Sequence, residues 1–323
     1  MGEGKLAVLI LVHKNVKQVR KLIRSLKNPN IDIFIHCDSR WEEGYLSLLE
    51  EKLEDVYLVS ERVESDLDTW RLVEGTMNLI EAALRTGNKY KYYILLSGQD
   101  YPLISAENII NKLKSVYPKP FIDCTPYDHS NWIYYKFFDN NTFRIFSRYL
   151  NEKIKIKILR KFLKLPVYVF DVIKNIYFNK KRKLDKLGIK LYGGSAWWIL
   201  PDMIIEYIYD EYKSDKEYVK ILSETWTPEE TFFQIVTMNS PFSDLVEVNP
   251  INMVHQNCKT YAYFFDDEKK FKGHPYIFKI NDARKLLELS KTHFFARKFD
   301  INVDEEVFSW IEKFCWNNEE NTK

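Results

Sequence analysis

The segment LAVLILV at residues 6–12 decides the class of fold. Seven consecutive apolar residues are typical of a β-strand that is covered on both faces, as in a parallel sheet. Apolar residues at helical spacing follow from 16 to 26, and IDIFIHCD at 31–38 indicates a second strand. The order strand, helix, strand predicts a unit with parallel strands and a crossover helix.

The same alternation continues along the chain. We expect further strands at 56–60, 90–97, 120–126, 193–201 and 245–256, with helices at 41–53, 72–84 and 105–116 and after Pro201, Thr227 and Asn281 or Asp282. This order predicts an α/β fold with a mostly parallel central sheet and helices on both faces. Because no Gly- or Pro-rich linker divides the sequence, we expect residues 1–323 to form a single domain.

Carboxylates follow two of the predicted strands. IFIHCDSR at 33–40 places Asp38 just beyond one strand, and LLSGQDYPL at 95–103 places Asp100 beyond another. Ligands of open α/β sheets bind at the carboxyl ends of strands, so both residues are candidates for a small-molecule site. Each also fits a turn-forming role, which sequence alone leaves open.

A pair of carboxylates stands at the start of a later predicted helix. TPEETFF at 227–233 puts Glu230 at the third helical position, near the positive end of the helix dipole. In a partly desolvated site this carboxylate is a candidate general base. The spacing fits equally a capping box in which Glu230 bonds back to Thr227.

Positive charge is concentrated in one segment. The chain has a formal net charge of +2, but residues 151–190 hold 13 Lys and Arg against 3 Asp and Glu. This excess predicts an anionic partner, and our hypothesis is the surface of an anionic membrane. A solvated helix face is the alternative, whereas no motif indicates nucleic-acid binding.

Other classes of protein are disfavoured. No G-x-G-x-x-G follows the first strand, which argues against a nicotinamide oxidoreductase. The apolar run at 6–12 is too short for a secretory signal, and no run approaches the roughly 20 apolar residues of a spanning helix. We therefore expect a cytoplasmic protein, peripheral on the inner face of the membrane.

Seven segments together resemble one enzyme family. In order along the chain they are VLILVHKN (8–15), IFIHCDSR (33–40), the ER-x-ES…W segment (61–70), LLSGQDYPL (95–103), GGSAWW (193–198), TPEETFF (227–233) and HFFARKFD (293–300). They resemble the motifs of the core-2/I-branching β-1,6-N-acetylglucosaminyltransferases, a family that also contains the peptide O-xylosyltransferases. The motifs span most of the chain and keep the order of the family.

The resemblance implies a GT-A type, Rossmann-like nucleotide-sugar fold without a metal-binding D-x-D motif. Residues 1–125 would then form the nucleotide-binding half, and 126–323 the acceptor-binding half with a C-terminal loop for the donor phosphates. Asp66-Leu67-Asp68 spells D-x-D, but we interpret it as a chance match. We expect no metal and no cofactor other than the UDP-sugar donor.

The resemblance also implies roles for individual residues. Glu230 matches the catalytic base, with Glu229 as the substitute if the alignment slips by one. Lys298, with Arg297 beside it, matches the contact to the donor diphosphate, and Asp38 the contact to the nucleoside. The remaining expected donor contacts are Val12, His13, Asp100, Ser195 and His274.

Two parts of this assignment stay open. Where animal members carry an additional Arg, this chain has GHPYIF at 273–278, so the second phosphate contact falls to His274, Lys279 or Arg284. On the acceptor side we expect Glu229 and an aromatic contact from Trp197 or Trp198. These two alternate along a strand, so we expect one to face the cleft, although both could pack in the core.

The expected function is inverting, metal-independent transfer of a sugar from a UDP donor to a hydroxyl of a glycan or lipid-linked glycan. UDP-N-acetylglucosamine is the first expectation for the donor and UDP-xylose the second. We expect a role in bacterial surface polysaccharide synthesis. The alternative is a non-catalytic protein of the same fold that binds membranes or glycans.

Overall fold

The structure is a computed structural model that describes residues 4–51, 55–66, 69–127, 146, 149–150, 154–155, 157–177, 180–248 and 276–317. Its strands are β1 (Lys5–Val12), β2 (Ile31–Cys37), β3 (Val56–Leu58), β4 (Tyr90–Ser97), β5 (Asp100–Pro102), β6 (Phe121–Ile122), β7 (Thr125–Pro126), β8 (Tyr192–Gly193), β9 (Trp198–Pro201) and β10 (Phe295–Arg297). Its α-helices are α1 (Val16–Leu26), α2 (Glu42–Leu49), α3 (Trp70–Arg85), α4 (Ala106–Val116), α5 (Lys157–Tyr177), α6 (Lys180–Lys186), α7 (Asp202–Lys213), α8 (Glu217–Ser223), α9 (Phe232–Met238), α10 (Ala283–Ser290) and α11 (Glu306–Trp310).

Six strands form the central sheet in the order β3-β2-β1-β4-β9-β6. β1 pairs in parallel with both β2 and β4, and β9 is antiparallel to its two neighbours. The mostly parallel α/β sheet predicted from the sequence is therefore confirmed. The strand order reverses between β1 and β4, and in open α/β sheets ligands bind at the carboxyl ends of the strands beside such a switch point.

Helices cover both faces of this sheet, as predicted. Along β1, Ala7 and Leu9 contribute to the layer formed with α3, α7 and α9. Leu6 and Val8 point to the opposite layer, formed with α1, α4 and α11. This alternation follows from the period of two along a strand, and burial on both sides explains why the strand is apolar from Leu6 to Val12.

Several element boundaries differ from the predictions. α2 ends at Leu49 rather than near 53. The strand predicted at 193–201 is two short strands, because Gly194 between them donates its amide to the Glu230 carbonyl. Residues 245–248 are not a strand, and the rest of that prediction, 249–256, lies outside the described residues.

The predicted halves 1–125 and 126–323 share one sheet. β9, from the second half, lies between β4 and β6 of the first and pairs with both. β10 pairs with β5 in a separate two-stranded sheet. The division of the chain into a nucleotide-binding and an acceptor-binding half stays a prediction.

Candidate active site

The candidate site lies at the carboxyl ends of β1, β2 and β4. Two backbone hydrogen bonds tie these ends together. The amide of Asp38 donates to the carbonyl of Val12 at 2.8 Å, and the amide of Gly98 donates to that of Leu11 at 3.0 Å. Val12 and Asp38, both predicted donor contacts, are thus neighbours at the strand ends.

A C-terminal segment enters this crevice as a strand rather than as the expected loop. β10 is antiparallel to β5 and places Arg297 opposite Asp100. The difference from the prediction has a simple cause, since a strand of three residues is too short to show a hydrophobic period. The pairing brings the predicted phosphate contacts to the switch point of the sheet.

Arg297 is a buried cation fixed on several sides. Its Nη1 donates to Ser97 Oγ at 2.8 Å and lies 3.5 Å from Asp100 Oδ1. Its guanidinium carbon lies 4.4 Å from the centre of the Trp197 ring, in cation–π geometry. These contacts orient the guanidinium and balance its charge.

Lys298 is a half-buried cation of a different kind. Among the described residues, its ammonium has neither a hydrogen-bond partner nor an ion pair. Burial, followed by the charges of Arg297 and Lys14, lowers the pKa of Lys298 to about 8, although Asp100 opposes this shift. An ammonium with unused donors beside a second cation suits an anionic ligand such as a diphosphate.

Gln18 anchors the segment that carries Lys298, and sequence reasoning missed it. Its Nε2 donates to the carbonyls of Gly98 at 3.0 Å and Phe299 at 2.9 Å, and its Oε1 accepts from the amide of Ile301 at 2.9 Å. The side chain is only 2% exposed. The available signal was a Gln beside the apolar stripe of a predicted helix. Polar residues are mostly exposed, so a polar residue at a buried position is informative.

His13 stands beside the cationic pair. Desolvation by the surrounding protein is the largest cause that lowers the pKa of His13, followed by the charges of Lys14, Lys298 and Arg297. The charge of Asp38 partly offsets this shift. A His with a lowered pKa is neutral at pH 7, so its ring can donate and accept hydrogen bonds without adding charge. Its predicted role as a donor contact stays a prediction.

Asp38 is held by the protein itself. Its two carboxylate oxygens accept from the amides of Arg40 and Ser65 and from two nitrogens of the Arg40 guanidinium, at 2.7–2.9 Å. Burial would raise its pKa, but these hydrogen bonds outweigh that effect and lower the pKa to about 2. Asp38 orders the loop after β2, and its contact to the nucleoside stays a prediction.

The same Arg40 pairs with the first residue of the D-x-D match. Its Nη1 lies 2.9 Å from Asp66 Oδ1, whereas Asp68 lies outside the described residues. Within the part of the chain that the structure describes, there is no group of three or more His, Cys, Asp or Glu side chains placed to hold a metal ion.

The turn that carries Glu230 differs from the predicted helix start. Residues Pro228–Glu230 form a 3₁₀ turn before α9, and Thr227 makes no side-chain cap, so the capping-box interpretation is wrong. Thr227 has φ 50, a left-handed conformation that is unusual for a β-branched residue. Such strain is often found at functional sites.

The turn exposes one carboxylate of the pair more than the other. Glu230 is half-buried, while Glu229 is 5% exposed. Glu230 therefore has the better access to a ligand, and its predicted role as the base stays a prediction, as does the acceptor contact of Glu229. Because the Glu230 carbonyl accepts from Gly194 at 2.9 Å, the turn is attached to the segment that leads to Trp197.

Buried hydrogen bonds hold that connecting segment in place. Ser195, 1% exposed, donates its amide to Asp123 Oδ2 at 3.0 Å and accepts at its carbonyl from Gln234 Nε2 at 2.7 Å. A Cβ on Gly194 would lie 1.7 Å from the carbonyl oxygen of Asp123, so only glycine fits there. Direct contact between Ser195 and a donor stays a prediction.

The structure separates the roles of the two tryptophans. Trp198 is fully buried in the core, with its ring 5.2 Å from that of Phe233. Its burial leaves no surface for an acceptor, so the expected acceptor contact of Trp198 finds no support. Trp197 lies against Arg297 and is the member of the pair that borders the site.

The second phosphate contact is not resolved among its three candidates. His274 lies outside the described residues. Lys279 and Arg284, which flank the start of α10, are both exposed. This contact stays a prediction.

Comparison with known proteins identifies relatives along most of the chain. Xylosyltransferase 2 of Rattus norvegicus and that of Canis lupus familiaris are each 24% identical over 326 residues, which cover 95% of this chain and 33% of the relative. Xylosyltransferase 1 of Rattus norvegicus is 22% identical, over 97% of this chain and 36% of the relative. The chain thus spans about a third of the length of the curated relatives it matches.

Among solved structures, the apo form of mouse xyloside xylosyltransferase 1 is similar over 81% of this chain and 88% of its own, with a TM-score of 0.36 and 10% identity. The model of the Core-2/I-Branching enzyme family matches residues 6–285, a range that includes Asp38 and Glu230 but ends before Lys298. Because that match covers most of the sequence, the chain belongs to the Core-2/I-branching enzyme family.

Proposed function

We propose that this chain is a glycosyltransferase that moves a sugar from a UDP donor to a hydroxyl of a glycan. The observation that carries the proposal is the pair Arg297 and Lys298 at the switch point of the sheet, one cation already neutralised and the other without a partner among the described residues. A phosphate-bearing ligand would complete this pair.

The residues fit an inverting displacement. The acceptor hydroxyl attacks the anomeric carbon from the face opposite UDP while Glu230 takes its proton. A carbon–oxygen bond to the acceptor forms, and the bond from the anomeric carbon to the phosphate oxygen breaks with its electron pair leaving on UDP. Lys298 and Arg297 stabilise the charge that grows on the diphosphate, so the reaction needs no metal ion.

The first candidate for the donor is UDP-N-acetylglucosamine. The second is UDP-xylose, which the names of the matched xylosyltransferases favour. A ligand that binds only the folded state raises the melting temperature, so a thermal-shift screen separates the two. We expect a shift with UDP and with one of these sugars, and none with GDP-mannose; no shift with any UDP compound contradicts the proposal.

The basic segment 151–190 concerns where the enzyme works rather than how it holds the acceptor. Its excess of positive charge supports a role at an anionic membrane surface, where a lipid-linked glycan is presented. Among the described residues, no helix combines the length and the apolar character needed to cross a membrane. We place the enzyme on the inner face of a bacterial membrane, in surface polysaccharide synthesis.

A further inference from the structure

Helix α5 exposes apolar side chains along its length. Phe162 is 71% exposed, Leu165 60% and Phe170 57%. The other large apolar residues exposed on this helix are Leu159, Leu163, Tyr168, Val169 and Ile173. Monomeric proteins rarely leave a contiguous apolar surface of this kind uncovered.

All of these apolar residues except Tyr168 share one side of α5. At 100° per residue, Phe162, Leu165 and Ile173 lie within one half of the helix circumference, and Lys161 and Lys164 fall in the other half. Phe162 and Leu165 are exposed, whereas the half-buried residues Lys164 and Val167 lie on the opposite side of the helix, with the exposed Lys161 at its edge. The helix therefore turns its apolar side outward, the reverse of α3, whose apolar residues are buried in the core.

The charge that follows α5 in the sequence selects the partner. α6 follows α5 closely and presents Arg182, Lys183 and Lys186 as exposed cations. An amphipathic helix with Phe and Leu on one side and Lys on the other is typical of a helix that lies in the bilayer interface. A second copy of the chain is a poor partner, because it would bring two strongly basic segments together.

We propose that α5 lies in the interface of an anionic bilayer, with its apolar side among the acyl chains and the cations of α6 on the headgroups. This inference deepens the proposed function, since it names the surface on which the lipid-linked acceptor is reached. It goes beyond electrostatic attraction, because apolar side chains enter the bilayer.

The test is co-sedimentation of the full chain with vesicles, without any sugar donor. Vesicles of phosphatidylcholine with a fraction of phosphatidylglycerol are compared with vesicles of pure phosphatidylcholine. The variant Phe162→Gln/Phe170→Gln is expected to partition to the anionic vesicles at least tenfold less than the wild type, because it lacks the two aromatic rings that would be buried in the bilayer. The matched control is Leu46→Gln/Leu49→Gln, which alters two exposed apolar residues of α2 and is expected to bind as the wild type does.

Three outcomes overturn the inference. One is vesicle binding of the double phenylalanine variant equal to that of the wild type. Another is binding lost equally in the α2 control. The last is a wild type that is a dimer in light scattering, a phenylalanine variant that is a monomer, and no vesicle binding by either protein. That result would assign the apolar side to a second copy of the chain.

Failure of the proposed function is distinguishable from these results. A thermal melt shows whether each variant folds, and UDP-sugar turnover with a water-soluble acceptor is expected to be unchanged in the phenylalanine variant. If the wild type transfers no sugar and yet loses vesicle binding on substitution, the inference stands and the proposed function fails.

Discussion

The two sides of the candidate site are built in different ways. On the phosphate side, side chains position the cation: Arg297 is held by Ser97, Asp100 and Trp197. On the base side, the backbone positions the carboxylate, through the strained Thr227 and the contact of the Glu230 carbonyl with Gly194. Substitutions on the phosphate side should therefore disturb neighbouring cations, whereas a side-chain change at Glu230 should remove its chemistry and leave the turn in place.

The largest effect is expected on the base side, from Glu230→Gln. An amide cannot accept the proton of the acceptor, so kcat should fall by about 10²- to 10⁴-fold. The melting temperature and the affinity for UDP should stay close to those of the wild type, because the backbone contact with Gly194 is kept. Steady-state transfer assays and calorimetry measure these quantities.

The matched control is Glu229→Gln, which removes the adjacent, more buried carboxylate. We expect this variant to change the melting temperature and to keep a kcat close to that of the wild type. If Glu229→Gln is inactive and Glu230→Gln retains activity, the assignment of the base is wrong by one residue.

The next effect concerns the cation without a partner on the phosphate side. Lys298→Met keeps an apolar stem and removes the charge, so kcat/KM should fall by about 10²-fold through the loss of leaving-group stabilisation. The control is Lys291→Met, which removes an exposed lysine just after α10 and should leave kcat/KM unchanged. Equal activity of the two variants would remove Lys298 from the site.

The lowered pKa of Lys298 predicts a pH dependence. The ammonium is charged below its pKa of about 8 and loses its charge above it, so kcat/KM of the free enzyme should decline as the pH rises through 8. Lys298→Arg should move this decline to higher pH, because a guanidinium stays protonated. A pH profile from 6 to 10 that is identical in both proteins would contradict this origin of the decline.

The smallest effect is expected at Trp197, where the two sides meet. Trp197→Leu removes the ring beside Arg297, and the KM for the donor should rise by roughly 2- to 10-fold, in line with a cation–π contact. Trp197→Phe should retain part of the affinity. A rise confined to the KM for the acceptor would instead support the predicted stacking of Trp197 on the acceptor sugar.

The sequence predicted the position of the residues on the phosphate side better than the geometry of the turn on the base side. The apolar runs of β1, β2 and β4 were readable because both faces of the sheet are buried, and they located Val12, Asp38 and Asp100 near its carboxyl edge. The geometry of Glu230 was not readable, because the pattern T-P-E-E fits a capped helix and a 3₁₀ turn alike. The left-handed conformation of Thr227 was not readable either, because β-branched residues rarely adopt it.

Contacts between distant segments were also beyond the reach of sequence patterns. The pairing of β5 with β10 joins two three-residue strands that are far apart in the chain, and neither shows a period. Which tryptophan borders the site depends on the side of β9 that meets α9, where Trp198 packs on Phe233. Gln18 bonds to backbone carbonyls and to a backbone amide of distant segments, and such partners cannot be identified from the sequence.

The central claim is that fixed cations and a carboxylate suffice for transfer from a UDP-sugar. The most direct test is the initial rate of transfer by EDTA-treated protein, with and without added Mg²⁺ or Mn²⁺, in the wild type and in Lys298→Met. The account predicts a wild-type rate that is unchanged by EDTA or by added metal, and a rate in Lys298→Met that stays low in every condition. Activity that appears only after a divalent ion is added would contradict it.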